Sequence, residues 1–294
     1  MKTIGFVGMG IMGLPMAVNL VKKSGREIMG FDISQEKRLQ FAAQGGKAVD
    51  SEDVIFSQCD LIFLCLPTNA LVRQTIQRIL TAAKPGTTIV DFSSTSPDVI
   101  RELYPQAQEK GVRLLDSPVS GGESGAIAGT LVLMCGGEQA VFDAVKPLLL
   151  QVGTSATYMG DTGCGCVAKL ANNMIVGCNI AALAEGFAFA VKAGLNPTVL
   201  YEAIKDGFAG SPVMNVKAPK IISRDFSASA RIAVHQKDLK NAVHLAKQLG
   251  VEIPLSAKVL DYMNQMETAG KVDEDHCAIA RIYERDMGVE IGGK

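Results

Sequence analysis

Neither sign of charge dominates this 294-residue chain: 29 Lys and Arg stand against 30 Asp and Glu, a net charge of -1. No field of one sign exists to draw a phosphate backbone or an anionic membrane, so nucleic acid is not an expected partner. A long uninterrupted apolar run is also missing. The longest stretch, Met174 to Val191, follows Asn172 and Asn173 and is broken by Asn179 and Glu185, so it fails the ~20-residue test for a membrane span and reads as a buried helix. The start, Met1-Lys2-Thr3-Ile4-Gly5-Phe6, enters a glycine motif without the basic, apolar and cleavage segments of a signal peptide, and no export is expected. The three histidines, His235, His244 and His276, are too scattered for a zinc site. Cys164 and Cys166 bracket Gly165 without Cys-x-x-Cys spacing or a second ligand cluster, so no metal is expected. Seven cysteines, with Cys59 and Cys65 in or beside apolar runs, suit a reduced cytoplasmic protein in which thiols pack as small hydrophobes.

What is present is a globular composition, 48% hydrophobic with 30 glycines, in a chain about two domains long by a prior of ~150 residues each. Thr3–Val7, Glu27–Phe31, Leu61–Leu66, Thr88–Asp91 and Val112–Leu115 read as strands between longer amphipathic runs, the rhythm of βαβ units around a parallel sheet. After Gly160 helical patterns take over, one of them opened by Asn196-Pro197 as cap and first turn. The glycine-rich stretch Gly160–Gly165 is unsuited to an element interior and marks the boundary. The expected fold is an α/β Rossmann-like dinucleotide-binding domain, residues 1–162, followed by an all-α domain, residues 163–294, that begins with a long interdomain helix.

Gly8-Met9-Gly10-Ile11-Met12-Gly13 follows the first apolar strand and opens a helical pattern through Met16, Leu20 and Val21. In that context Gly8 permits a tight turn, Gly10 lets backbone approach a pyrophosphate, and Gly13 allows close helix–strand packing. Asp32 stands nineteen residues beyond Gly13, where a carboxylate can accept hydrogen bonds from the adenosine ribose. Ile33 and Ser34 beside it cannot neutralise a ribose 2′-phosphate, so NAD is favoured over NADP. Lys37 and Arg38, a turn further on, are within reach of swinging back to such a phosphate, but read first as solvated helix charges.

Asp116-Ser117-Pro118-Val119-Ser120-Gly121-Gly122 ends a strand and reads as a loop with a hydroxyl and backbone donors for a carboxylate, or as an ordinary turn. Lys169 follows Gly160, Gly163 and Gly165, and Asn173 comes four residues later, a spacing that puts both on one face of a helix. A lysine turned inward on an apolar helix is unusual.

These segments, with Lys237-Asp238-Leu239, occur in an order that resembles the β-hydroxyacid (3-hydroxyisobutyrate) dehydrogenase family along nearly the whole chain. The resemblance implies that Lys169 is the catalytic acid/base and that Ser120, Gly121, Gly122 and Asn173 hold substrate. It implies that Lys237 sits by substrate and nicotinamide, with Asp238 in support, and that Leu66, Pro67 and Thr95 line the cofactor cleft with Gly8, Gly10, Ile11, Met12, Gly13 and Asp32. Within the family, Gly207–Ser211, Arg231–Leu239 and Asp275–Ala278 are similar to the tartronate semialdehyde reductase branch, which often has Arg where this chain has Ile33.

The reaction so implied adds hydride to a carbonyl carbon while the Lys169 ammonium gives its oxygen a proton, and protonated lysine favours the reductive direction near neutrality. The substrate expected is a small carboxylate-bearing semialdehyde, tartronate semialdehyde before 3-hydroxyisobutyrate, glyoxylate, succinic semialdehyde or L-threonate. A 6-phosphogluconate-type decarboxylase is disfavoured by chain length and by Asn172 standing where its motif carries histidine. A dinucleotide-binding protein without catalysis has no need of the inward lysine. The apolar helix near Lys169 and its C-terminal neighbours lead us to expect a homo-oligomer, a dimer or tetramer.

Overall fold

Ile4–Val7, Leu61–Leu64 and Thr88–Asp91 are buried at every position, which a strand of alternating faces achieves only when helices cover both sides of its sheet. The computed structural model describes residues 3–292. Met1, Lys2, Gly293 and Lys294, the ends of the expected domains, lie outside the described residues. The chain divides into two compact units, Met1–Lys169 and Leu170–Lys294.

In the first unit β1 (Ile4–Val7), α1 (Gly13–Lys23), β2 (Ile28–Phe31), α2 (Gln35–Ala43), β3 (Lys47–Ala48), α3 (Glu52–Gln58), β4 (Leu61–Leu64), α4 (Asn69–Ala82), β5 (Thr88–Asp91), α5 (Pro97–Glu109) and β6 (Arg113–Asp116) alternate. There follow β7 (Val119–Ser120), α6 (Gly122–Ala128), β8 (Leu131–Gly136), α7 (Gln139–Leu149) and β9 (Gly153–Gly160). The strands lie in the order β3-β2-β1-β4-β5-β6-β8-β7, with β9 on β8. Pairing is parallel from β3 through β6, antiparallel from β8 to β6 and β7, and parallel again to β9. The order reverses between β1 and β4, so the turns leaving these two strands flank the crevice where doubly wound sheets take nucleotides. Phe6, Phe63 and Phe92 fill one face below that crevice, the last two stacked with ring centroids 5.0 Å apart. Ile62, Leu64, Ile76, Ile100 and Leu103 fill the other.

Three findings differ in detail from the sequence expectation. The strand from Leu61 ends at Leu64 rather than Leu66, because the chain turns out of the sheet at the crevice. The segment after Asp116 is not a plain loop: Val119 and Ser120 pair with Leu133 and Val132. The glycines of Gly160–Gly165 lie partly inside elements, Gly160 ending β9 and Gly165 in the first turn of α8 (Cys164–Lys192). Packing explains Gly165, since a Cβ there would strike the Met134 carbonyl of β8. The turn is clamped from below as well. Buried Asp116 accepts from the Gly163 and Cys166 amides, both at 2.8 Å, taking the capping role that a glycine at the helix start cannot supply.

The second unit holds most of α8, then α9 (Pro197–Ile204), α10 (Pro212–Ile222), α11 (Ile232–Leu249), α12 (Pro254–Thr268), a 3₁₀ turn (His276–Ile279) and α13 (Ala280–Met287). By length and apolar composition alone α8 could cross a membrane, yet Ile180, Leu183, Ala184, Phe187 and Ala188 pack in this unit's core with Met263, Ile279 and Tyr283. Beside that core Lys217 Nζ donates to both oxygens of buried Asp275 at 2.9 and 3.0 Å, and Asp275 also receives the amides of Ser229, Ala230 and Cys277.

Replacing Asp116 by Asn keeps its shape but turns an NH₂ toward one of two amides that need an acceptor. Asp116→Asn is expected to lower unfolding free energy by about 2 kcal/mol in urea titrations, and an unchanged midpoint would show that the cap carries no weight.

Candidate active site

Each glycine of the first turn answers to a different constraint. Gly8 has φ +91°, and a Cβ there would strike the Cys65 carbonyl, while one at Gly13 would strike the carbonyl of Gly8. A Cβ at Gly10 would meet nothing within 4 Å. Backbone is thus bare to solvent at the one position where a diphosphate must come close, and α1 has no acidic residue in its first turn and no side-chain cap on its leading amides. Ile11 is exposed in this turn and Met12 opens α1. Asp32 directly follows β2, and its carboxylate accepts from the Met9 amide at 2.6 Å and the Ser34 amide at 2.8 Å. The glycine turn and the acid are therefore one hydrogen-bonded piece, a cradle that fits a dinucleotide.

Arg38 does not stand in solvent as a helix charge. Its guanidinium donates to the Asp32 carbonyl at 2.7 Å and lies 5.7 Å from the Phe31 ring centroid. Lys37 instead reaches Gln40. Across the crevice the half-buried Leu66 donates its amide to Ser93 Oγ at 2.8 Å, Pro67 is exposed, and buried Thr95 donates its hydroxyl to Asp91 at 2.7 Å. Burial pushes the Asp91 carboxyl up to about 6, against the Ser93 and Thr95 hydrogen bonds and helped by neighbouring Asp116. Burial likewise raises Asp116, opposed by the amides it caps.

Of the expected substrate residues in the first unit, Ser120 ends β7 half-buried, Gly121 and Gly122 start α6 exposed, and Lys169 is half-buried in the second turn of α8. Asp116 and Ser117, from the same segment, face inward, Ser117 Oγ lying 3.1 Å from Cys135 Sγ. In the second unit Asp238 joins two other expected residues. Its carboxylate lies 3.1 Å from Lys237 Nζ and accepts from Asn173 Nδ2 at 2.6 Å, and Asn172 donates to Asn173 Oδ1 at 2.9 Å.

Comparison with known proteins decides the family. Residues 3–160 match the family described as the NAD binding domain of 6-phosphogluconate dehydrogenase, and residues 163–283 match the NAD-binding domain of NADP-dependent 3-hydroxyisobutyrate dehydrogenase. The chain belongs to the 3-hydroxyisobutyrate dehydrogenase family. It is an NAD(P)-dependent oxidoreductase of the hydroxyacid dehydrogenase type. Relatives of this family member include 2-(hydroxymethyl)glutarate dehydrogenase of Eubacterium barkeri, 37% identical over 99% of this chain and 97% of the relative. The 2-hydroxy-3-oxopropionate reductase of Escherichia coli is also 37% identical, over 96% of this chain and 97% of that one. Among solved structures, Mycobacterium tuberculosis 3-hydroxyisobutyrate dehydrogenase with L-serine has a TM-score of 0.89 at 31% identity, covering 96% of this chain and 99% of that one.

The family likeness leaves two residues of this dehydrogenase without a role. His235 and His276 are both buried, and their Nδ1 atoms lie 2.8 Å apart. No local pattern joins residues 41 positions apart, so spacing alone could not pair them. Burial, with His235 and the Lys217 ammonium nearby, pushes the His276 imidazole down to about 3 from 6.5, against the pull of Asp275. The unfolded chain therefore takes up this proton several pH units above the folded one, so the group's contribution is complete above its unfolded value and is lost as pH falls toward 3. The thermal midpoint is expected to drop between about pH 7 and about pH 4, and to drop less in His276→Asn. Equal slopes would assign the acid sensitivity elsewhere.

Proposed function

We propose that this chain reduces tartronate semialdehyde to glycerate, with Lys169 as proton donor. The observation that carries this reading is the half-buried lysine in the second turn of a helix whose first turn is bound to the sheet by buried Asp116. An amine on so fixed a turn can meet a substrate oxygen repeatedly in one geometry. Residues 1–162 form the dinucleotide domain in this account, and residues 163–294 the substrate and oligomerisation domain.

The nicotinamide, when bound, supplies hydride. Gly8, Gly10, Ile11, Met12 and Gly13 hold the diphosphate, Asp32 accepts from the ribose, and Leu66, Pro67 and Thr95 border the cofactor. Lys169 protonates the oxygen on which negative charge develops. Ser120 and the amides of Gly121 and Gly122 receive the substrate carboxylate. Asn173 keeps one amide hydrogen for a substrate oxygen while its other hydrogen serves Asp238, and Lys237 adds positive charge beside it.

The relatives' names share one chemistry, a CH₂OH or CHO group on the carbon that bears a carboxylate. This supports an anion site beside the reacting carbon and leaves the remainder of the substrate to the pocket wall. Among the described residues no disulfide joins any of the seven cysteines, in keeping with a reducing, cytoplasmic setting. Ile175, Phe189, Leu195 and Val199 are exposed on and just beyond α8, an apolar surface suited to a second copy in a dimer or tetramer.

Steady-state assays of tartronate semialdehyde, 3-hydroxyisobutyrate, 2-(hydroxymethyl)glutarate, glyoxylate and succinic semialdehyde with both cofactors test this. Tartronate semialdehyde with NADH is expected to give the highest kcat/KM, since Asp32 repels a 2′-phosphate, and its methyl ester is expected to be poor. An ester as good as the acid would remove the anion site. A preference for NADPH would place Arg38 on the phosphate.

A further inference from the structure

His235 donates or accepts at two points, and the chemistry of its partners decides which. Its Nε2 lies 2.8 Å from the carbonyl oxygen of Asn173. A carbonyl only accepts, so Nε2 carries the proton. A neutral His235 then presents a bare Nδ1 to His276, whose own Nδ1, 2.8 Å away, must be the donor. His276 is left with an unprotonated Nε2, and that atom is buried without a hydrogen-bond partner. Asp275 Oδ1, at 3.9 Å, is too distant to take a proton bond from it, and its oxygens are already engaged by Lys217, Ser229 and backbone amides. With both rings neutral, this is the one assignment of protons that satisfies both the Nδ1–Nδ1 contact and the contact to the Asn173 carbonyl.

The pair also needs room against the helix. A Cβ at Gly177, one turn beyond Asn173, would lie 3.3 Å from both Cε1 and Nε2 of His235, tighter than ordinary packing. Glycine there lets the imidazole lie against α8 and reach the Asn173 carbonyl. Three residues along α11 from His235, Asp238 holds the Asn173 side chain. Asn173 is therefore gripped twice from α11, its backbone by His235 and its amide by Asp238.

We propose that His235 and His276 form a neutral two-imidazole relay that positions Asn173 for substrate, with protons on His276 Nδ1 and His235 Nε2. Neither histidine touches substrate, and both act through the Asn173 backbone. The inference rests on the reading of Asn173 as a substrate contact, so the test must separate the two.

Imidazole ¹⁵N spectra of the full chain, which has three histidines, are expected to show one ring protonated at Nε2 and another at Nδ1, coupled through a shared Nδ1–H···Nδ1 bond. In kinetics His235→Asn, which cannot reach Asn173, is expected to raise KM for the hydroxyacid about tenfold with dinucleotide Kd unchanged. His235→Gln, whose amide reaches where Nε2 stood, is expected to restore it. A folded His235→Asn with normal KM, beside an impaired Asn173→Ala, would overturn the relay and leave the substrate reading intact. A normal KM in Asn173→Ala would overturn that reading and the relay with it. If the variants fail to fold, the wild-type spectrum decides: a His235 ring without a proton on Nε2, or with protons on both nitrogens, contradicts the proposal.

Discussion

A carboxylate buried at the end of β6 fixes where the long helix begins. Asp116 is fully enclosed, and enclosing a charge is costly unless donors meet it. The amides of Gly163 and Cys166 do so, each at 2.8 Å. Their positions require the helix to start against β8, close enough that Gly136 and Gly165 tolerate no side chain. A Cβ on Gly136 would come within 2.7 Å of both Asp116 Oδ1 and the Gly165 amide. Lys169 is three residues beyond the last of these capping amides, so its place above the sheet follows from the cap. Any residue that loosened the cap would move the amine as well.

The same logic of shared hydrogen bonds runs along the crevice. Asp91, register partner of Asp116, holds the Thr95 hydroxyl, while Asp32 ties the glycine turn to the start of α2. Acids at or directly after the ends of three parallel strands thus organise the loops that follow them. Only Asp32 is open enough to serve a ligand as well. Arg38, folded back on the Asp32 carbonyl, is a cation held beside that acid, so charge around Asp32 is balanced more closely than neighbouring residues in sequence suggest.

Much of this fold can be read from sequence because its strongest signals are local. The runs Ile4–Val7 and Leu61–Leu64 are apolar throughout, and Gly8, Gly10 and Gly13 sit at fixed offsets between a strand and a helix. The family resemblance then carries Lys169, Asn173 and Lys237. What sequence hides depends on distant partners. Asp116 belongs by position to the segment read as a carboxylate-binding loop, and only the packing of α8 turns its side chain into a cap. Gly165 looks like linker for the same reason. Val119 and Ser120 become a strand only because β8 is there to pair with them. The substrate is less legible still, since relatives of equal identity bear the names of different hydroxyacids.

The central claim is that holding the dinucleotide and protonating the substrate are separate tasks, the second belonging to Lys169. The most direct measurement is paired on one protein: Lys169→Ala, assayed for turnover and for NADH binding by fluorescence. The account predicts a folded protein that binds NADH as the wild type does and loses about 10²–10⁴-fold in kcat. Near-normal turnover in that variant would contradict it.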